Sequence, residues 1–466
     1  MKTVLLLLYI LLVITVIFLE RRNPTEALLW ALILICVPYV GVLLYFVFGS
    51  TAAIKITSAV RRRRLEEKAT LPKEQQPVID PSELSEVDLD VIRFNADYNQ
   101  SLITGYEDAQ IFTTGKDHYE HLFADIARAE HTIYIEFYTI HHDLVGEALV
   151  RALTKKAKAG VRVLVLCDFI ANLSTPGKMF RPLIEAGGKV IRIKPYLTHF
   201  RSHRKIVTID HRISYIGGMN IGKQYANLNP KKCPWRDTQI RMTGPCSFVL
   251  SEYFLNDWLT AVRRKDWDKN VAMVKAIKKP SYRPVSDFCQ FIAGGVDTDK
   301  ESVKMCYLSM IRSAKSRIRI QTPYFIPDSS ILDALKTAAA TGVQIDLMIP
   351  ARKSSFFLAP VTTYYVGQLL EYHANVYRYD GYVHAKTLSI DDELCCIGSV
   401  NMDIRSLKVD DEICGVFYSN ELVRRYSDIY EEDLKHCTPY TEEEFKTRSQ
   451  WERIKEGIFL PFAPLM

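Results

Sequence analysis

The sequence contains one hairpin pattern twice, and this repeat restricts the fold more than any other feature. Residues 203–220 read HRKIVTIDHRISYIGGMN, and residues 384–401 read HAKTLSIDDELCCIGSVN. In each copy two short apolar stretches flank a polar break, which predicts two strands joined by a turn. Because alternate side chains of a strand share a face, the first histidine and the lysine of each copy lie side by side. A histidine next to a fixed ammonium group suits an anionic phosphate.

The segments that precede the two hairpins also repeat in the same order. Each has a buried strand, an amphipathic helix and a second strand, predicted at residues 132–138, 144–159 and 161–167 and again at residues 317–322, 331–340 and 343–349. Each helix ends at a glycine C-cap, which precedes the hairpin histidine by 43 residues in the first copy and 42 in the second. This regularity predicts two similar α/β halves, residues 110–290 and 291–466, packed about a pseudo-twofold axis.

The residues that recur at matching positions of the hairpins are polar. A single histidine–lysine pair on a strand is most often an ordinary surface feature. Two copies at the same spacing are not explained by surface composition, and an apolar core does not need repeated histidine, lysine and asparagine. We therefore expect one catalytic site built by both halves. Its candidate residues are His203, Lys205, Asp210 and Asn220 from the first hairpin and His384, Lys386, Asp391 and Asn401 from the second.

The repeated pattern H-x-K-x4-D-x6-G-[GS]-x-N resembles the signature of the phospholipase D superfamily, whose members carry it twice per chain. The resemblance extends from about residue 110 to near the C-terminus. WRDT at 235–238, TPYFIPD at 322–328 and NMDIRS at 401–406, together with the apolar N-terminus, are similar to the bacterial cardiolipin synthase family. This resemblance implies an enzyme that transfers a phosphatidyl group from one phosphatidylglycerol to another and releases glycerol.

The residue chemistry by itself suits such a reaction. Phosphoryl transfer needs a nucleophile in line with the leaving oxygen and positive charge at the non-bridging oxygens. One histidine would attack to form a phosphohistidine, and the other would protonate the departing oxygen and later deprotonate the incoming alcohol. The two lysines would supply charge and the two asparagines hydrogen bonds, so no metal or other cofactor is required. The internal symmetry leaves the order open, whereas the resemblance implies that His203 is the nucleophile and His384 the acid/base.

Four acidic residues accompany the hairpins. Asp210 and Asp391 lie at the turn ends, on the strand face opposite the histidine–lysine pair by simple alternation. The resemblance implies that they orient a histidine across the pseudo-dyad. The residues alone indicate equally well a turn aspartate that caps backbone amides. Asp237 and Glu412 occupy corresponding positions after the two asparagines, and we expect them to support the catalytic groups from behind.

The chain begins with two apolar runs, residues 3–19 and 27–48. Each is long enough to cross a bilayer as a helix, which predicts a transmembrane hairpin within residues 1–50. A cleavable signal peptide is the alternative for the first run. Residues 51–109 follow as a basic juxtamembrane segment and linker, in which four arginines at 61–64 suit anionic lipid headgroups or a stop-transfer anchor. More basic residues follow the second run than separate the runs, which predicts a cytoplasmic catalytic body at a bacterial cell membrane.

Composition restricts the remaining function classes. The net charge of +6 is modest, and no extended pattern of basic and aromatic residues indicates nucleic acid as a partner. None of the ten cysteines belongs to a C-x-x-C pair, so neither a zinc site nor a redox site is indicated. The expected partners are phosphatidylglycerol and anionic membrane lipid, and the sequence carries no indication of oligomeric state.

Several alternatives stay open at this point. A phospholipase D-type hydrolase, a transferase that uses another alcohol, and a nuclease all use the same pair of histidines. A catalytically silent lipid-binding scaffold would not need intact motifs. The C-terminal residues 451–466 mix aromatic, apolar and basic side chains, and they either lie in the membrane interface or pack against the domain body.

Overall fold

Two mixed β-sheets form the centre of the described structure, one for each predicted half. The computed structural model describes residues 2–15, 24–45, 59, 61, 85–194, 201–228, 234–295, 300–352, 355–418 and 420–466. In chain order the strands there are β1 (Thr104–Tyr106), β2 (Asp108–Phe112), β3 (Thr132–Phe137), β4 (Arg162–Asp168), β5 (Lys189–Ile193), β6 (Ile206–Ile209), β7 (Ile213–Gly217), β8 (Trp235–Arg236), β9 (Gln239–Thr243), β10 (Asp287–Gly294), β11 (Arg317–Gln321), β12 (Phe325–Ile326), β13 (Gln344–Pro350), β14 (Asn375–Tyr379), β15 (Tyr382–Val383), β16 (Thr387–Ile390), β17 (Leu394–Gly398), β18 (Met402–Asp403), β19 (Glu412–Phe417) and β20 (Cys437–Pro439).

Helices precede, connect and cover the sheets. They are α1 (Lys2–Ile14), α2 (Pro24–Cys36), α3 (Pro38–Leu44), α4 (Glu86–Asp97), α5 (Gly115–Arg128), α6 (Leu144–Lys158), α7 (Arg181–Glu185), α8 (Cys246–Ala261), α9 (Trp267–Lys275), α10 (Ser302–Ser313), α11 (Ser329–Ala340), α12 (Leu358–Leu370), α13 (Ile404–Lys408), α14 (Asn420–Leu434), α15 (Glu442–Lys446) and α16 (Gln450–Phe459). Short 3-10 helices occur at Gly177–Phe180, Arg264–Asp266 and Leu460–Leu465.

The strand orders confirm the predicted duplication. The first sheet runs β2-β9-β7-β6-β3-β4-β5, and the second runs β1-β10-β19-β17-β16-β11-β13-β14-β20. In both, an antiparallel part that contains the hairpin joins a parallel part made by strand–helix–strand units. The central strand β3 is buried along its whole length, because both faces of a partly parallel sheet are covered. The fold is therefore α/β with two repeated halves.

Alternation along the hairpin strands directs side chains to two different cores. Ile206 faces the cluster between the two sheets, whereas Val207 and Ile209 face the outer cluster of the first half. In the second hairpin Ile397 faces the central cluster and Leu388 faces the outer one. The two hairpins consequently pack back to back, with β7 and β17 in contact.

The N-terminal region differs from its prediction. Across the described residues, no helix has both the length and the apolar character needed to cross a membrane. Residues 16–19 and 46–48 of the predicted spans lie outside the described residues. The second predicted span, residues 27–48, is interrupted where α2 ends at Cys36 and α3 begins at Pro38. Proline lacks an N–H group and disfavours helical backbone at the preceding residue, so the helix breaks there.

Most of the predicted linker, residues 51–109, also lies outside the described residues, whereas residues 85–109 are described. Ser85 and Asp88 form a capping box at the start of α4. Strand β1 then pairs with β10 and joins the sheet of the second half. The segment before the first half thus contributes to the second sheet, and the exact domain boundaries stay a prediction.

Candidate active site

The starts of the two hairpins meet between the halves, where each histidine contacts a carboxylate of the opposite half. His203 Nδ1 lies 2.9 Å from Glu412 Oε1, and His384 Nδ1 lies 2.6 Å from Asp237 Oδ2. An ionised carboxylate only accepts hydrogen bonds, so ionised Asp237 places the ring proton of His384 on Nδ1, and the ionised form of Glu412 does the same for His203. In each ring this leaves Nε2 for a substrate. This exchange of partners is what packing about a pseudo-twofold axis produces.

Backbone hydrogen bonds across the interface set these contacts. The N–H of His203 donates to the carbonyl of Asp411 at 2.9 Å, and the N–H of His384 donates to the carbonyl of Arg236 at 2.6 Å. The carboxylate residue that follows each acceptor in the chain is thereby held against the imidazole. Sequence reasoning identified both carboxylates, but only the tertiary structure assigns each to the histidine of the other half.

Lys205 and Lys386 are fully buried next to the histidines. Each ammonium group donates to the backbone carbonyl of its own histidine, and Lys386 Nζ also lies 3.0 Å from His384 Nδ1. Burial lowers the pKa of Lys205 to about 7 and that of Lys386 to about 8, although the carboxylates of the site act in the opposite direction. An anionic phosphate between the ammonium groups would favour their charged forms. The site is therefore electrostatically complementary to an anion.

Both imidazoles are neutral at pH 7. Burial, reinforced by the two lysines, lowers the pKa of His384 to about 4 and that of His203 well below its usual range. A neutral imidazole has the lone pair that a nucleophile or a general base requires. Either histidine can thus attack as a nucleophile, and the one that acts as general acid must first take up a proton.

The two supporting carboxylates differ in charge. Burial acts to raise the pKa of Asp237, but His384 and Lys386 outweigh it and hold that pKa below its ordinary value. Burial raises the pKa of Glu412 to about 7, and Ser399 Oγ donates a hydrogen bond to its second oxygen. At neutral pH Asp237 is therefore ionised, whereas Glu412 is close to half protonated.

Asn220 and Asn401 follow the second strands of the hairpins and have incomplete hydrogen bonding. Asn220 Oδ1 accepts from the N–H of Thr139 at 3.2 Å, and its Nδ2 donates to Tyr225 OH at 2.8 Å. Asn401 Nδ2 lies 3.4 Å from Ser406 Oγ, and its buried Oδ1 has no hydrogen-bond partner among the described residues. Each amide has a second N–H hydrogen that could donate to a ligand oxygen, whereas the orphaned Oδ1 of Asn401 could accept only from a ligand group that carries a hydrogen, such as a hydroxyl.

Aromatic rings that sequence reasoning missed surround the imidazoles. The ring centres of Tyr138 and His203 are 4.8 Å apart, and those of Trp235 and His384 are 5.1 Å apart. Lys205 Nζ also lies 5.4 Å from the Tyr138 ring centre. Tyr138 ends a predicted strand and Trp235 begins the WRDT segment. These positions next to predicted elements are the only sequence signal that could have placed the two rings near the site.

Asp210 and Asp391 contact backbone amides and not the two histidines, and their catalytic role stays a prediction. Each carboxylate accepts three backbone N–H groups at the start of a neighbouring strand, from residues 130–132 for Asp210 and 315–317 for Asp391. Both residues adopt the left-handed backbone that aspartate tolerates in turns, with φ of 51° and 54°. A strand of four residues, about 13 Å long, separates each from its histidine–lysine pair.

A buried charge cluster that the sequence did not predict lies behind the first hairpin. Arg204 pairs with Asp257 through Nη1. Arg61 is 5% exposed, and its guanidinium lies 2.7 Å from Asp411 and 3.3 Å from Asp257. The sequence predicts that Arg61 and its neighbours meet lipid headgroups or form a stop-transfer anchor, but Arg61 is buried against the catalytic body instead. Residues 62–64 lie outside the described residues.

The assembled geometry defines a class of protein. Two histidine–lysine pairs, crossed carboxylates and paired asparagines on a duplicated α/β fold define a phospholipase D-like protein. Within the ranges that the structure describes, no group of three or more His, Cys, Asp or Glu side chains is arranged to hold a metal ion. The cations that face the site are side chains contributed by both halves.

Comparison with known proteins then gives the family. The family model described as "Cardiolipin synthase, PLD-like domain" matches residues 122–231 and 307–434, and the one described as "Phospholipase_D-nuclease N-terminal" matches residues 7–50. The chain is 34% identical over 475 residues to the major cardiolipin synthase ClsA of Bacillus subtilis, covering 99% of this chain and 98% of that protein. It is 31% identical over 484 residues to a cardiolipin synthase of Listeria welshimeri, with the same coverage. The chain belongs to the cardiolipin synthase family.

Solved structures support the fold independently of close sequence similarity. The phosphatidylserine synthase of Haemophilus influenzae has a TM-score of 0.63 at 14% identity, over 80% of this chain and 97% of that one. A polyphosphate kinase from Porphyromonas gingivalis has a TM-score of 0.51 at 12% identity, over 80% of this chain and 53% of that one. These similarities establish the duplicated fold alone.

Proposed function

We propose that this enzyme is a phosphatidyltransferase that converts two molecules of phosphatidylglycerol into cardiolipin and glycerol through a phosphohistidine intermediate. The observation that carries the proposal is the pair of neutral histidines, each held through Nδ1 by a carboxylate of the other half, with two buried ammonium groups beside them. Family membership along nearly the whole chain supplies the substrate class.

In the first step the neutral Nε2 of His203 attacks the phosphorus of one phosphatidylglycerol. The anionic phosphate favours a positive His384, which takes up a proton from solvent when the lipid binds. The bond from phosphorus to the headgroup glycerol oxygen breaks, and the His384 imidazolium donates this proton to the oxygen, which leaves as glycerol. In the second step a headgroup hydroxyl of another phosphatidylglycerol attacks the phosphorus and gives its proton to His384. The P–N bond breaks, cardiolipin forms and His203 returns to its starting state. The proton account balances over the two steps.

Electrostatics support this division of roles, which the internal symmetry leaves open. Asp237 is ionised and stabilises a positive imidazolium on His384, as the acid/base requires. Glu412 is close to half protonated and gives less support to a positive charge on His203. A nucleophile that stays neutral until it bonds to phosphorus suits the second environment.

Lys205 and Lys386 would neutralise the charge that builds up on the non-bridging oxygens, and the remaining N–H hydrogens of Asn220 and Asn401 would donate to the same oxygens. Groups that are held in place before the reaction require little reorganisation during it, so their burial increases their effect. Asp237 and Glu412 would fix the ring tautomer from behind.

We further propose that residues 1–50 attach the enzyme to the bacterial cell membrane through spans at 3–19 and 27–48, with the catalytic body on the cytoplasmic side. The exposed apolar side chains of α1 and α2, such as Leu7, Leu28 and Leu32, support an apolar environment for these helices. The match of residues 7–50 to an N-terminal family model supports a common function of this segment.

The test is to incubate the detergent-purified enzyme with phosphatidylglycerol labelled in its headgroup glycerol and in its acyl chains. We expect cardiolipin and free glycerol in equal amounts, without any other acceptor. Phosphatidic acid as the sole product would identify a hydrolase. Efficient transfer only after another alcohol is added would identify a different acceptor, and absence of turnover would reject the proposal.

A further inference from the structure

The C-terminal helix α16 presents an apolar face to solvent. Trp451, Ile454 and Ile458 follow the spacing of one helix face, and Trp451 is 73% exposed. Phe356 and Phe357, from the segment before α12, lie beside this helix and are 64% and 56% exposed. Together these residues form the C-terminal apolar surface: Trp451, Ile454, Ile458, Phe356 and Phe357.

Packing against Phe459 holds the two phenylalanines of this surface next to α16. The ring centre of Phe459 lies 5.5 Å from that of Phe356 and 5.2 Å from that of Phe357, with rings packed edge to face. Phe459 itself packs on a small core formed by Ile326, Val361 and Ala463. Single exposed apolar residues are common in soluble proteins, whereas contiguous exposed patches mark contact surfaces.

The surface adjoins the apolar N-terminal helices. Leu465, six residues after Phe459, packs against a cluster of Trp30, Leu34 and Tyr45 from α2 and the end of α3. Leu28, also on α2, is 67% exposed. The C-terminal segment therefore contacts the N-terminal helices through Leu465 and the small core beneath α16 through Phe459.

The same region borders the active site. Strand β11 ends at Gln321, which pairs with Thr387, the residue directly after Lys386. The chain continues from there to Ile326 in the small core beneath α16. Ile404, three residues after Asn401, packs against that core as well. The C-terminal apolar surface thus lies at the end of the second sheet that holds the histidine, lysine and asparagine.

The charges around the surface select its partner. Lys455 Nζ lies 5.7 Å from the ring centre of Phe356, and Arg453 is exposed on the same helix. The acidic residues of α16 are engaged elsewhere, since Glu452 closes a capping box with Ser449 and buried Glu456 pairs with Arg448. Aromatic and aliphatic side chains with cations beside them suit the interface of an anionic bilayer.

We infer that the C-terminal apolar surface inserts into the interfacial layer of an anionic phospholipid bilayer and holds the mouth of the active site against it. A lipid substrate then reaches the histidines from the bilayer surface without passing through water. This inference rests on the proposed function, because it takes the substrate to be a membrane phospholipid. Its committed partner is the bilayer, and not a second copy of the chain.

A triple variant separates this surface from the catalytic chemistry. Trp451→Ser, Ile454→Ser and Ile458→Ser are combined, and the matched control combines Leu144→Ser, Leu173→Ser and Ile184→Ser, which remove exposed apolar side chains from the first half. Both proteins are assayed on phosphatidylglycerol in nanodiscs of varied lipid composition and on monomeric short-chain phosphatidylglycerol. We expect the KM for bilayer substrate, as a surface mole fraction, to rise at least about tenfold in the first variant only. Activity on the monomeric substrate should stay unchanged in both.

Fluorescence measures the contact directly. The difference between the emission of the wild-type protein and that of Trp451→Phe, in nanodiscs that contain brominated phosphatidylglycerol, reports on Trp451 alone. We expect this difference signal to be quenched, and an unquenched signal would overturn the inference. Equal KM values for the two triple variants would also overturn it. A smaller oligomeric mass in detergent for the Trp451, Ile454 and Ile458 triple variant than for the wild-type protein would overturn it as well, because the surface would then serve self-association. Failure of the wild-type enzyme on both substrates would reject the proposed function instead, while the quenching result would still stand.

Discussion

The two halves present the same histidine and lysine to the site but support them with different buried charges. Behind His384, the backbone carbonyl of Arg236 accepts the N–H of the histidine. The guanidinium of Arg236 forms an ion pair with Asp433 at 2.6 Å. Gln321 donates a further hydrogen bond to Asp433 at 2.8 Å. All these groups belong to the two repeated halves.

Behind His203 the matching acceptor is Asp411, an acid where the other site has an arginine. A second acid, Asp257, lies on the helix next to it, and Arg61 bridges the two carboxylates. Arg61 precedes both halves in the chain. Among the described residues, the first site therefore takes part of its charge balance from the segment before the two halves, and the second site does not.

The small residues before the asparagines differ for a related reason. A Cβ atom at Gly218 would lie 2.1 Å from Asp237 Oδ1, so no side chain fits there. At the matching place in the second hairpin, Ser399 donates its hydroxyl hydrogen to Glu412. The comparison shows that both halves have kept the histidine, the lysine and the asparagine. The buried pairs behind them have diverged, since several arrangements can balance the same charges.

Replacing the two histidines should have the largest effect on kcat, and it tests whether the two halves have different roles. His203→Ala should lower kcat by at least about ten thousandfold and abolish any phosphohistidine, because the nucleophile is lost. His384→Ala should lower kcat by about a hundredfold to ten thousandfold. With a p-nitrophenyl phosphatidyl ester, whose leaving group needs no acid, His384→Ala should accumulate an adduct on His203 that mass spectrometry detects. An adduct on His384 in the His203→Ala protein would reverse the two roles.

Loss of the two supporting carboxylates should lower kcat by unequal factors. Asp237→Asn removes an ionised partner and should lower kcat about a thousandfold, whereas Glu412→Gln should cost about tenfold. Steady-state kinetics on short-chain phosphatidylglycerol measures both. Equal losses would show that the two carboxylates have the same role.

The pH profile of kcat/KM sharpens the same test. Below pH 7 Glu412, with its pKa of about 7, takes up a proton and loses the negative charge that holds His203 Nδ1–H, so the rate should fall as pH falls. Above pH 7 Lys205, with a pKa of about 7, loses its charge, so the rate should fall as pH rises. We expect a narrow bell-shaped profile, from which Glu412→Gln removes the acid limb and retains the alkaline one. An acid limb that persists in this variant would assign it to another group.

Removing Arg61 tests the charge balance behind the first site. Arg61→Ala leaves two buried carboxylates with one cation fewer and should lower the free energy of unfolding by about 3–5 kcal/mol. Arg61→Lys should restore part of the loss, and the double variant Arg61→Ala with Asp411→Asn should restore more, because one negative charge is gone. Chemical denaturation measures these values. Arg151→Ala is the matched surface control and should change stability by less than about 1 kcal/mol. A loss in Arg61→Ala no larger than in the control would contradict the bridge.

The smallest effect on catalysis is expected at the two turn aspartates, whose hydrogen bonds are alike in both halves. Asp210→Ala and Asp391→Ala each leave three backbone N–H groups without their carboxylate and should each cost about 2–4 kcal/mol of stability. The activity per folded molecule should stay within about twofold, measured after correction for the folded fraction. A large loss of kcat in a stably folded variant would restore the orienting role that the family resemblance implied.

Local patterns in the sequence determined the repeat, the hairpins and the identity of the two histidines, lysines and asparagines. The period of two and the glycine C-caps are local signals, so the α/β halves could be predicted from them. The motif also led to the phospholipase D superfamily and to the expected chemistry. It did not decide what Asp210 and Asp391 do, because a turn aspartate and an orienting aspartate have the same local sequence.

Only the tertiary structure decided which groups support the histidines. Glu412 lies 209 residues from His203 in the chain, and Arg61 lies 350 residues from Asp411. Contacts over such distances arise from the packing of two complete sheets and leave no periodic trace in the sequence. The arginine run looked like one surface feature, and the buried place of Arg61 followed only once Asp411 and Asp257 were brought together. The repeat thus specified the shared chemistry of the two halves, and packing specified how they differ.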